Sequence, residues 1–267
     1  LSGLTLLIFA LPLAFNAIVI SSMCGATPNF HEGRFTARGF VAASWLNVFL
    51  VIFVFQKWAD AALKSSIEEQ VGLCLLGLVW TMASILMPNL FGISARDDAI
   101  ERRNPAARLV LLSSILANGL IYAGGNIGGG PSISNNIFSA ALGAILFFSI
   151  WFGLEFFGQI SVSISEERDF ASGIRIAGFF MAIALILARA VAGDWHSVSL
   201  TIRDFFHDAW FAFGLFAIAI PVERFARPSA QNPFPNRVSH GLLPAALYVV
   251  ASVWWLARLG PWEGYAR

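Results

Sequence analysis

Eight stretches of this chain are long and apolar enough to cross the hydrocarbon layer of a bilayer, and no other feature limits its fold so tightly. They run from about Leu4 to Met23, Ala37 to Phe55, Val71 to Phe91, Ala106 to Gly124, Ile137 to Phe157, Ile174 to Ala192, Ala209 to Phe225 and Leu242 to Leu259. In lipid every backbone N–H and C=O must find a partner inside the protein, so segments of this length form helices. Composition agrees: 57% of the 267 residues are hydrophobic and 12% charged, where a soluble domain carries roughly 25% charged residues. A net charge of +1 and two cysteines remove nucleic-acid binding, disorder and a disulfide scaffold from consideration. The expected fold is an all-α polytopic membrane protein of about eight helices. Pro12, Pro88, Pro221 and Pro244 fall inside the windows and are read as kinks. The chain opens on Leu1 with no basic segment ahead of its first apolar run. No cleavable presequence is therefore expected, and the missing Met places the true start upstream.

Positive charge gives the expected orientation, because cytoplasmic turns retain Lys and Arg. Most of the 17 basic residues are assigned to turns one, three, five and seven, among them Arg34, Arg38, Arg102, Arg103, Arg168, Arg175, Arg224 and Arg237. Those turns are expected in the cytoplasm, with both termini outside. They also carry a repeat: Arg34-Phe-Thr-Ala37, Arg103-Asn-Pro-Ala106, Arg168-Asp-Phe-Ala171 and Arg237-Val-Ser-His240, whose leading arginines are 69, 65 and 69 residues apart. Such spacing reads as one helical hairpin used four times in the same orientation.

Two of these turns resemble a known pattern. Asp97-Asp98-Ala99-Ile100-Glu101-Arg102-Arg103-Asn104-Pro105-Ala106-Ala107, leading into a helix that ends Ala123-Gly124-Gly125-Asn126-Ile127-Gly128, resembles the acidic-Ile-x-x-x-Asn-x-Ala-Ala segment of the YjfL-like inner-membrane proteins. Ser165 to Gly178, with its helix closing at Arg189 to Trp195, is similar to the same segment. The resemblance implies tandem four-helix units, here residues 1–133 and 134–267, in a bacterial inner membrane. It implies no activity.

The same residues have plain structural uses. Asn104 before Pro105 suits an N-cap with Pro at the first helical position. Asp97, Asp98, Glu101, Glu166 and Glu167 complement the positive ends of helix dipoles. Ala107, Ser114, Asn118, Gly173, Ala177, Ala184 and Ala188 offer small faces for close helix packing. The sharper reading has the turns of Arg34, Arg103, Arg168 and Arg237 ring a cytoplasmic vestibule or dock a soluble partner. The glycine-rich turn around Gly125, Asn126 and Gly128 is a linker, an anion-binding nest or a set of carbonyls open to a cation.

Ionisable groups inside spans are the usual pointer to transport. Glu155, Glu223 and Arg224 are placed near the cytoplasmic helix ends and Arg189 near the outer end, each able to reach its own interface. Asn16, Asn47 and Asn118 lie deeper, as hydrogen-bonding glue or, alternatively, as part of a pathway. No His pair lies at mid-depth to hold a haem, no Lys to hold retinal, and no Cys/His cluster to hold zinc, Cys24 and Cys74 being in opposite leaflets. No catalytic group and no cofactor are expected. Gln56 to Gln70 and Trp195 to His207 read as amphipathic helices lying on the outer surface. The expected function is a non-enzymatic structural or assembly subunit, packing with copies of itself or with other membrane subunits. The alternative is a transporter or channel for a small solute or ion.

Overall fold

The structure, a computed structural model, describes residues 14, 30–130, 132–260 and 262, with side chains from Arg38 onward in the first helix. The first expected span, with Pro12 and Asn16, lies outside the described residues except for Ala14, as do Cys24 and the side chains of His31 and Arg34. From Phe30 onward the described residues form eight α-helices in order: α1 (Phe30–Lys57), α2 (Ala61–Ser65), α3 (Ile67–Leu86), α4 (Pro105–Gly124), α5 (Ile133–Gly158), α6 (Phe170–Ala190), α7 (Val198–Ala226) and α8 (Leu243–Leu259). All but α2 belong to the seven described helices long and apolar enough to span a membrane. Short π-helical turns precede α4 (Ala95–Glu101), α6 (Val162–Glu166) and α8 (Arg237–Leu242).

Four helices lie side by side and run the same way. Asn47 of α1 meets Ile115 and Gly119 of α4. Gly173 and Ala188 of α6 meet Ala106 and Gly124 of α4, and Gly178 of α6 meets Ala245 of α8. The order is therefore α1, α4, α6, α8, and α3, α5 and α7 return antiparallel against that row. Within lipid, apolar surface gains nothing by hiding from apolar solvent, so packing quality and polar contacts hold such helices together. Small residues do this along the α4–α6 contact, and these two helices are the most enclosed, 72% buried against 17% for the last span. One hydrophobic cluster runs through the row and across residue 133, from Phe40 through Val110, Ile115, Trp151 and Ile183 to Tyr248.

Local chemistry sets several helix ends, and some differ from expectation. Asn104 and Asp169 cap α4 and α6, each accepting from two backbone N–H groups. Helix α1 already runs from Phe30, with no proline between there and Lys57 to interrupt it. Arg34 and Arg38 are thus helical, not turn residues. Helix α7 begins at Val198, capped by Ser197, so most of Trp195 to His207 is the first part of a span and not a separate surface helix. The Gln56 to Gln70 stretch breaks at Asp60 and Ser66, both helix caps, and Gln70 ties its pieces by donating to the carbonyls of Leu63 and Lys64. Pro88 converts the end of α3 into a 3-10 turn, Pro244 opens α8, and among the described residues Pro221 alone sits inside a helix.

Asn104 does a second job, donating from Nδ2 to the carbonyl of Ile164 in the next π turn. Asn104→Ala should cost about 2 kcal/mol, one part for the cap and one for the cross-link. Ser197→Ala, which loses a cap and an exposed 3.3 Å contact with Ser199 Oγ but no cross-link between elements far apart in the chain, should cost about 1 kcal/mol. Unfolding midpoints of the two variants in one detergent check the difference.

Candidate functional site

The end of the bundle where α4, α6 and α8 begin is rich in polar contacts. The first two of its three π turns interlock directly, and the third is tied to α6. Asp98, 4% exposed, accepts through Oδ2 from the Ser94 N–H and from the Ser165 hydroxyl of the second turn, and through Oδ1 from Arg102. The single Ser165 proton is shared between Asp98 Oδ2 at 3.2 Å and the Gly92 carbonyl at 3.0 Å. Asp98 therefore binds two turns together as well as lying near a helix start. The third turn joins through Arg175, whose Nη1 donates to the His240 carbonyl, and through Arg237, which lies 5.1 Å above the Phe170 ring.

Two arginines in this assembly hold a conformation that favours glycine. Arg103 has φ 53° and Arg168 φ 55°, each immediately before the capping residue of its helix. The left-handed region costs an L residue roughly 1–2 kcal/mol. Both side chains are exposed. Of the four candidate docking residues, Arg103, Arg168 and Arg237 belong to the turns at this end, and Arg34 lies within α1.

Beneath the turns is a charged pair. Arg175 and Glu223 are 0% and 2% exposed, and the contact is bidentate, Nε to Oε1 and Nη2 to Oε2 both at 2.7 Å. Nη2 also donates to Ser172 Oγ, whose hydroxyl in turn donates to Asp169. The fork geometry of guanidinium and carboxylate satisfies both charges where water is excluded. Arg175 was expected in a cytoplasmic turn, but it belongs to the second turn of α6. The signal available in the sequence was its position one residue inside an apolar window, with Glu223 similarly placed in another. Which faces they occupied depended on helix packing.

The other candidate residues are engaged in structure. Glu155 accepts from the Ser161 N–H and hydroxyl, closing the turn after α5. Arg189 does not reach outward to an interface: it is 1% exposed, donates to the Leu259 carbonyl and faces the Trp262 ring at 5.8 Å. Asn47 donates to the Ile115 carbonyl, and Asn118 donates to Ser84 Oγ and the Trp80 carbonyl.

The glycine-rich turn has no row of free N–H groups to offer an anion. The nitrogens of Gly125, Asn126 and Ile127 donate to Ile121, Ala123 and Gly124, and Gly128 N donates to Trp58. Gly129 N donates to Asp194 Oδ1. In return Gly193 and Trp195 donate to Ile127 and Gly129. Asn126 is fully buried, donates to the Tyr122 carbonyl and accepts from Asn136. The turn stitches the ends of α1, α4 and α6 together. Among the described residues no group of three or more His, Cys, Asp or Glu is placed to hold a metal ion.

The chain matches no family model, no curated protein and no solved structure.

Proposed function

We propose that this protein is a non-enzymatic structural subunit of a bacterial inner membrane, assembling with itself or with other membrane subunits through the exposed arginines of its turns. The observation that carries the reading is the pair Arg103 and Arg168, exposed and left-handed in the same setting. Glycine would relieve the strain, so the side chain itself has a use, and strained residues of this kind cluster at functional positions. The pairing of Arg175 with Glu223, which neutralise one another, and the bond from Asn47 to the neighbouring helix support the reading. The finer organisation belongs to the same proposal: four hairpin repeats grouped in two four-helix units, the arginine turns in the cytoplasm, and kinship with the YjfL-like proteins.

The variant carrying Arg103→Gly and Arg168→Gly separates assembly from folding. Relief of strain should leave the fold at least as stable, by about 1 kcal/mol per site, while the native mass of the complex extracted from membranes falls to that of the single chain. An unchanged mass overturns the docking role. A solute flux in liposomes that is lost on Asn118→Leu or Glu155→Gln overturns the structural-subunit reading in favour of transport.

A further inference from the structure

Helices α3 and α5 both lean on α4 but leave a groove of about 540 Å³ between them, within the range of small-molecule sites. Its rim is formed by exposed Val79, Leu90, Ile145 and Phe152, and Asn118 and Trp80 are among the residues of its wall. Two polar atoms there are buried without a hydrogen-bond partner, the Asn118 amide oxygen and the Trp80 indole N–H. They belong to residues that meet across α3 and α4, since Asn118 Nδ2 donates to the Trp80 main-chain carbonyl at 3.3 Å. A bare donor and a bare acceptor in an apolar setting each cost about 1–3 kcal/mol, and native proteins seldom leave both.

We propose that this groove binds a single-chain lipid alcohol, its hydrocarbon lying between α3 and α5 and its hydroxyl bonded to Asn118 and Trp80. A hydroxyl accepts from an indole N–H and donates to an amide oxygen, meeting both needs at once, whereas an ester or ether oxygen can serve only the indole. Asn118 is 0% exposed, so entry of the hydroxyl requires the half-buried Trp80 ring to turn. Depth excludes an ionic headgroup. Asn118 lies six residues before the end of α4 at Gly124, about 9 Å along the helix axis, and the groove extends from it away from that end toward Leu90 and Phe152. A phospholipid headgroup held at either interface stands away from the polar pair.

The test uses the full chain in nanodiscs with hexadecanol carrying a chain-end diazirine. Photolabel is expected on groove residues of α3 and α5, competed by hexadecanol about tenfold better than by hexadecyl methyl ether, which cannot donate. Trp80→Phe removes the N–H while keeping a ring and should weaken labelling about tenfold, as should Asn118→Leu. Because Asn118→Leu also loses two helix-bridging bonds, Trp80→Phe and the ether decide the matter if that variant does not fold. Ala144→Phe, which fills the groove from α5, should abolish labelling with the polar pair intact. Equal competition by the ether, or full labelling of Trp80→Phe, overturns the proposal and leaves the groove a general site for acyl chains. Label spread evenly over the lipid-facing helices overturns it as well.

Discussion

Arg175→Leu is expected to destabilise the protein by about 3–5 kcal/mol, because it strands the Glu223 carboxylate in a site closed to water. Glu223→Leu should cost a similar amount by leaving the guanidinium with only the His240 carbonyl and Ser172 Oγ as acceptors. Total stabilities of about 5–15 kcal/mol make either loss large enough to lower yield and shift the unfolding midpoint in detergent. Arg175→Met combined with Glu223→Leu should recover most of the loss, since a buried ion pair is often no more stabilising than apolar residues of similar volume. A double variant as damaged as the singles would show that the Arg175 bonds to the third π turn and Ser172, and not charge balance, hold this region.

The second large effect sits on glycines where helix backbones touch. At Gly124 a Cβ would fall 2.8 Å from the Ala188 Cα and closer still to the Ala188 carbonyl, and at Gly178 it would fall 2.7 Å from the Ala245 Cα. Backbone cannot swing aside as a side chain can, so Gly124→Ala and Gly178→Ala should each cost about 1–3 kcal/mol by forcing α6 away from α4 or α8. Gly214, in the interior of α7, meets nothing within 4 Å. There the same substitution should stabilise by about 0.5–1 kcal/mol, through helix propensity alone. Measured side by side in one detergent, the three variants should differ in sign. A destabilised Gly214→Ala, or a neutral Gly124→Ala, would refute the account of α4–α6 packing.

The arginine turns show how far sequence reasoning reaches. The cap at Asn104 and the small faces of α4 and α6 were legible because a cap and a helix face depend on residues a few positions apart. The left-handed Arg103 and Arg168 were not, since nothing in an Arg-Asn or Arg-Asp pair demands positive φ. Their conformation follows from fitting a π turn against the helix that follows it. Helix starts at Phe30 and Val198 were misplaced for a related reason. Apolar windows mark hydrocarbon depth, while helices continue past the interface until a cap or breaker stops them.

Chain-local physics thus suffices for the class of this protein: apolar runs of spanning length have to be helices, because lipid offers the backbone no hydrogen bonds. Capping, and the small residues that permit close approach, are local too. The pairing of Arg175 with Glu223 across 48 residues, the engaged donors of the glycine-rich turn and the unmet polar atoms beside the α3–α5 groove came from packing. Each depends on what stands opposite a side chain, and in a bundle held together by contact geometry that is settled only when the helices meet.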